Sequence, residues 1–306
     1  MNIKGIFKQI IENRYIFISL IIIIAIIVFG IIGYFYQPYS PEQSFASNLP
    51  PSTQHILGTN FFGNDLFSQL LVAVLPTVAI AFLGAALALI FAIVIGLLSG
   101  YYRGYKNEFL NFFINVFLLI PGLPLAIVIS SDLETSHINI SNVAIALVIF
   151  ITAWAFGART IRSQVLSLSS RDYIRFIKHT GESDLKIVFT EILPSLLPYI
   201  GYIFTSIVVY SVITETSLLF LGLGDESQIT LGSMLYFANV YSGILLGDWW
   251  WFIPPGVIIA LLGIGFGLLS FGLDTIANPS LRVFKKRKSK IKIDMANITF
   301  ENDFKS

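Results

Sequence analysis

The sequence predicts an all-α, polytopic membrane protein with six transmembrane helices, both termini cytoplasmic, and a pair of short cytoplasmic helices between the fourth and fifth spans. Three observations predict it. The 306 residues are 55% hydrophobic and only 12% charged, against about 25% charged in soluble domains. Six segments each supply most of the roughly 20 apolar residues that a helix needs to cross about 30 Å of hydrocarbon. The basic residues, finally, fall without exception into alternate loops.

The spans are expected at residues 15 to 36, 72 to 99, 109 to 130, 140 to 157, 196 to 220 and 250 to 277. The first follows Lys4, Lys8 and Arg14, and its apolar run is longer than the roughly 7 to 15 residues of a signal-peptide core, with no A-x-A site after it, so an uncleaved anchor over 1–36 is expected. Pro121, Gly122 and Pro124 interrupt the third span. A proline there removes a backbone hydrogen bond that only protein or water can replace, so this span is expected to face other helices. The sixth carries Gly256, Gly263, Gly265, Gly267 and Gly272, small residues that let helices approach closely. Trp249, Trp250 and Trp251 at its start read as an interfacial aromatic belt.

Lys and Arg accumulate on the cytoplasmic side. Three lie at the amino terminus, two (Arg103, Lys106) after the second span, six after the fourth and eight in the tail, which accounts for all nineteen. The loops after spans one, three and five hold none, but they carry Glu42, Asp65, Asp132, Glu134, Asp225, Glu226 and Asp248. This pattern orients the chain: an outer loop at 37–69, a membrane core over 70–280, and a basic tail at 281–306 expected to be disordered. Its KKRKSKIK run reads as a topological anchor facing anionic lipid, with no domain that would orient it on nucleic acid.

The cytoplasmic loop at 158–195 is the one long polar interruption. In ARTIRSQVLSLSSRDYIRFIKHTG, Ile161, Val165, Leu168, Ile174 and Ile177 recur at helical steps with one polar break, which predicts helix with one apolar face. Gly181 stands where a helix C′ residue belongs. Ser183 is a plausible N-cap with Asp184 behind it. Leu185, Val188, Phe189, Ile192 and Leu193 line one face of a second helix, expected to end at Pro194. Two amphipathic helices joined at a glycine form a knob suited either to a groove on a partner or to the lipid headgroup layer.

The run Asp172, Tyr173, Ile174, then Gly181, then Ile192, Leu193, Pro194 resembles the EAA loop of ABC-transporter permease subunits. The stretches PPSTQHILGTNFFGNDLFSQLL, GLLSGYYRGY and TETSLLFLGLG are similar to the dipeptide/oligopeptide/nickel branch, over roughly residues 50 to 280. Asp172 replaces that family's glutamate, and Arg175 and Phe176 stand where two alanines are usual. In the first outer loop Asn64 replaces the arginine of Gly-Arg-Asp, while Gly63 and Asp65 match.

The resemblance implies a non-catalytic importer subunit forming half of a translocation pathway. Arg171, Asp172, Tyr173, Ile174, Phe176, Gly181, Ser183, Leu193 and Pro194 would form the loop coupled to a separate ATPase. The chain has no G-x-x-x-x-G-K-[ST] to cradle phosphates, so it binds no cofactor itself and ATP and Mg are used by the partner. Implied partners are two ABC ATPase subunits or one heterodimer, a second homologous permease, and an extracytoplasmic solute-binding protein docking on the outer loops, with Gly63, Asp65, Asp225 and Glu226 as candidate contacts. The cargo class implied is peptides, oligosaccharides or nickel complexes.

Glu215 is the one ionisable side chain well inside a span, and such a group marks a pathway or a buried partner. With Thr214 and Thr216 beside it, it either contacts the second permease, lines an outer vestibule, or snorkels to water from about one turn inside the membrane. The rival function class is an ion-coupled secondary transporter, which usually carries several polar groups near mid-bilayer and repeated halves. Neither is visible here. An enzyme is disfavoured because the only histidines, His55, His137 and His179, fall in separate loops and assemble no metal or acid–base set.

Overall fold

Eleven α-helices and one π turn form among the described residues, with no strand beyond two isolated bridges, Ser44 to Asn64 and Thr59 to Asp65. The computed structural model describes residues 13–135, 141–225 and 227–277. Lys4, Lys8, His137, Glu226 and the basic tail lie outside them. In chain order the helices are α1 (Arg14–Phe35), α2 (Leu66–Tyr101), α3 (Tyr105–Leu119), α4 (Gly122–Thr135), α5 (Asn142–Ser169), α6 (Asp172–His179), α7 (Asp184–Ile187), α8 (Leu193–Phe220), α9 (Leu231–Val240), α10 (Gly243–Leu246) and α11 (Trp249–Ala277). Five membrane-spanning candidates are single long elements, and a sixth exists if the bent pair α3–α4 counts as one.

Four boundaries differ from the hydropathy reading, each for a local reason. Helix α2 begins at Leu66 rather than 72 because the Asp65 side chain accepts from Ser68 N at 2.8 Å and starts the helix. The third span is not one rod: α3 and α4 meet at 84°, because extended Ile120 is followed by Pro121, which has no N–H to continue the ladder. Helix α5 runs on to Ser169, twelve residues past the expected end, so ARTIRSQVLSLS extends the fourth span. Pro194 does not end the second knob helix. The π turn Val188–Ile192 carries α7 directly into α8, with Leu193 N bonding to Val188 O and Pro194 in the first turn of α8, where a missing N–H is tolerated.

In hydrocarbon there is little hydrophobic drive between helices, so close backbone approach and van der Waals contact decide the packing. Helix α2 supplies this with Gly84, Gly96 and Gly100. A Cβ at these positions would stand 2.8 Å from Ile149 Cγ2, 2.8 Å from Ala158 O and 2.6 Å from Val165 Cβ, all on α5. Trp154, 2% exposed, then fills the gap between α5, α2 and α3 against Phe91, Phe113 and Phe117. Helix α1 lies on α11, where Gly265 meets Ile22 and Ile23 and Gly272 meets Ile16. Asn13 caps α1 and donates to Thr275 Oγ1 at 3.0 Å. Among the described residues, the close-packing expectation for span six therefore holds at those two glycines. A Cβ at Gly256, Gly263 or Gly267 would meet nothing within 4 Å among the described residues.

The bundle has two differentiated ends. At one, loop 36–65 folds against α9, with Phe61 stacked on Tyr241 at 4.6 Å. Helix α9 is itself an addition to the expected loop: Thr230 accepts from Ser233 N, and Ser233 Oγ accepts from Thr230 N, a reciprocal cap that nucleates ten residues. At the other end, α6 and α7 project as a knob.

Candidate functional site

The knob is built from α5, α6 and α7 around one glycine. Asp172 sits in the first turn of α6 and Lys178 and His179 in its last, each favourable to the helix dipole. Gly181 then turns the chain with φ of +89° and no atom near the place of a Cβ, a conformation L side chains rarely adopt. Ser183 caps α7 by accepting from Lys186 N at 3.4 Å. Glu182 and Lys186 pair at 2.8 Å on the exposed side.

Burial sorts the apolar side chains of the knob into two sets. Ile174, Ile187, Val188 and Ile192 turn inward and are 3% exposed or less. Tyr173, Phe176, Leu185 and Phe189 face out, with Phe176 at 69%. Leu185 and Phe189 thus leave the single face expected for the second helix. Arg171, Asp172, Arg175, Gly181, Ser183 and Pro194 are exposed, and Leu193 is half-buried at the start of α8. The knob thus exposes four large apolar side chains, with charged Arg171, Asp172, Arg175, Lys178 and Lys186 exposed on the same element.

One set of contacts ties this knob to the bundle. Tyr101, the last residue of α2, donates its hydroxyl to Asp184 Oδ1 at 2.8 Å. Lys178 Nζ reaches the same oxygen at 3.0 Å and lies 5.4 Å from the Tyr101 ring centre. The sequence marks Asp184 only as a favourable first-turn residue. Tyr101 and Lys178 carry no periodic signal, since the bond spans 83 positions.

Two of the loop-end candidates, Gly63 and Asp65, are buried in the fold of the loop, and Asp225 is half-buried. Gly63 is buried with φ of +81°, and a Cβ there would run into the Phe45 carbonyl. Asp65 is 1% exposed, accepts from Ser68 N and Oγ at 2.8 Å each, and pairs with His55 Nδ1 at 2.8 Å. Asp225 turns back to accept from Ser227 N at 3.0 Å, and Glu226 is not among the described residues. Two large aromatic side chains are exposed at this end, Phe61 and Phe62, both packed on Tyr241.

Glu215 is fully enclosed, with 0% exposure, so it does not snorkel to water. Thr216 Oγ1 donates to its Oε2 at 3.1 Å, Thr214 is 1% exposed beside it, and Oε1 has no hydrogen-bond partner among the described residues. Thr77 of α2, which faces the same carboxylate, accepts from Leu231 N at the start of α9 at 3.0 Å. The group therefore sits where α2, α8 and α9 converge, inside this chain rather than on a face.

Residues 92–283 match the family described as binding-protein-dependent transport system inner membrane component. Among curated proteins, the chain is 34% identical over 264 residues to the glutathione transport system permease protein GsiD of Salmonella typhimurium, covering 85% of this chain and 84% of that one. It is 27% identical over 273 residues to the dipeptide transport system permease protein DppC of Bacillus subtilis, covering 89% and 83%. Among solved structures, a chain of the MetNI methionine ABC transporter in an inward-facing form superposes with a TM-score of 0.54 at 20% identity, covering 68% of this chain and 94% of that one. That last likeness is one of fold.

Proposed function

The chain belongs to the binding-protein-dependent transport system inner membrane components, and on that premise we propose that its knob is the contact through which a separate ATPase drives the membrane helices. The observation that carries this is the outward set Tyr173, Phe176, Leu185 and Phe189. Large apolar side chains exposed on a projecting, charged element suit insertion into a groove of a partner. Arg171, Asp172, Ile174, Gly181, Ser183, Leu193 and Pro194 shape and position that surface. Phe176 and Arg175, in place of two small residues, call for a wider, acid-lined groove than the usual pattern would need.

In this reading the knob and both termini are cytoplasmic and the loop 36–65 with α9 is extracytoplasmic, in line with the one-sided distribution of Lys and Arg. The subunit contributes half of a pathway completed by a second homologous permease. Two ATPase subunits, or one heterodimer, use ATP and Mg on the knob side, and a solute-binding protein delivers cargo on the other. The names of the relatives, one for dipeptides and one for glutathione, favour a peptide-like solute. Rigid-body movement of such an element is how alternating access is generally driven.

The natural absence of cysteine makes the test direct. Phe176→Cys, labelled with a thiol-reactive photo-crosslinker in native membranes, is expected to capture an ATP-binding protein. Tyr36→Cys at the opposite end, 70% exposed in the parent residue, is expected not to. Equal capture from both, or none from Phe176→Cys, contradicts the assignment.

A further inference from the structure

We infer that the Tyr101–Asp184–Lys178 cluster is the linkage that makes α2 follow the knob, with Tyr101 as its positioning residue; this rests on the knob being the ATPase contact. Helix α2 has 36 residues and so extends about 54 Å at roughly 1.5 Å per residue, well beyond the bilayer core. Along that length it meets every part that must move together. Its first turn is fixed to loop 36–65 through Asp65 and His55. Thr77 holds the start of α9. Gly84, Gly96 and Gly100 lock it against α5. Its last residue reaches the knob.

That last contact is placed to read both arms of the knob at once. Lys178 belongs to the end of α6 and Asp184 to the start of α7, and Gly181 between them turns through open space. Tyr101 is 8% exposed and its hydroxyl meets one carboxylate oxygen that Lys178 also meets. The ion pair alone is a weak strut, because both side chains are more than a third exposed and such pairs contribute little. The hydroxyl-to-carboxylate bond from a buried ring is the stronger element, being charge-assisted and short. Displacement of the knob must therefore carry the end of α2 or break this bond.

The test uses the complex co-purified from native membranes and reconstituted in lipid nanodiscs, with spin labels at Ile56→Cys and Ile253→Cys, positions 56% and 44% exposed in the parent chain. Binding of ATP with vanadate is expected to shift the inter-label distance in the otherwise unaltered chain. Tyr101→Phe keeps the ring and is expected to lose the shift, with the shifted population falling about fivefold, the lower end of ordinary coupling strengths. Asp184→Ala is expected to do the same. Asp184→Asn keeps an acceptor for the hydroxyl without its charge and is expected to retain more of the shift than Asp184→Ala, a partial rescue that a purely structural role does not predict. An undiminished shift in Tyr101→Phe and Asp184→Ala with the ATPase still bound overturns the linkage and leaves the ATPase contact standing. No shift in the parent complex also overturns it, and failure of any ATPase to co-purify overturns both.

Discussion

His55 and Asp65 meet at 2.8 Å inside loop 36–65, 4% and 1% exposed, and the same carboxylate that holds the imidazole starts helix α2. The His55 ring clusters with Tyr39 and Phe45, which also meet each other, so this loop is a folded unit fused to a membrane helix rather than a flexible connection.

Asp65→Ala is accordingly expected to cost about 2 kcal/mol, combining a lost N-cap with a buried donor left without its partner. Limited proteolysis of the purified chain should then cleave within residues 37–64 at least tenfold faster than in the parent. Unchanged cleavage contradicts the fused-unit description.

Glycines on two helices should behave oppositely. Gly100→Leu places a side chain where Val165 Cβ already lies 2.6 Å from an added Cβ, and overpacking of this kind costs about 1–3 kcal/mol or more. Gly263→Ala meets open space and is expected to leave the monomer intact, with the helix favoured by up to about 1 kcal/mol. Thermal transitions in detergent distinguish them.

Glu215→Gln retains the acceptor for Thr216 and removes a charge whose second oxygen has no partner among the described residues, so the thermal transition is expected not to fall. Glu215→Lys puts a longer cation into a site with 0% exposure and is expected to abolish accumulation of folded protein. If Glu215→Gln instead destabilises the chain by several degrees, the ionised carboxylate has a partner in the assembly.

Hydropathy and charge made the number and order of apolar segments legible, because the cost of burying charge in hydrocarbon is paid locally by each residue. Helix ends were not legible in the same way. Nothing in backbone hydrogen bonding stops α5 at the membrane edge, so it continues to Ser169, and Pro194 reads as a terminator only if the preceding turn is α rather than π. Helix α9 is ten residues long, too short for a span, and its T-x-x-S cap is a weaker signal than apolar length. Within the knob, periodicity located Gly181 and the inward Ile174. It could not divide Leu185 and Phe189 from Val188 and Ile192, since which side is inward depends on the helices packed beside them, α5 among them. The Tyr101 to Asp184 bond joins positions 83 apart and follows only from the packed fold.

The most direct measurement is co-purification with this chain as bait from detergent-solubilised native membranes, beside a Phe176→Asp/Leu185→Asp variant whose altered residues are both exposed. An ATPase and a second permease should accompany the parent chain, and the variant should keep the permease while losing the ATPase at least tenfold. If the parent chain is recovered alone and still transports solute, an ATP-driven permease subunit is the wrong description and an ion-coupled carrier takes its place.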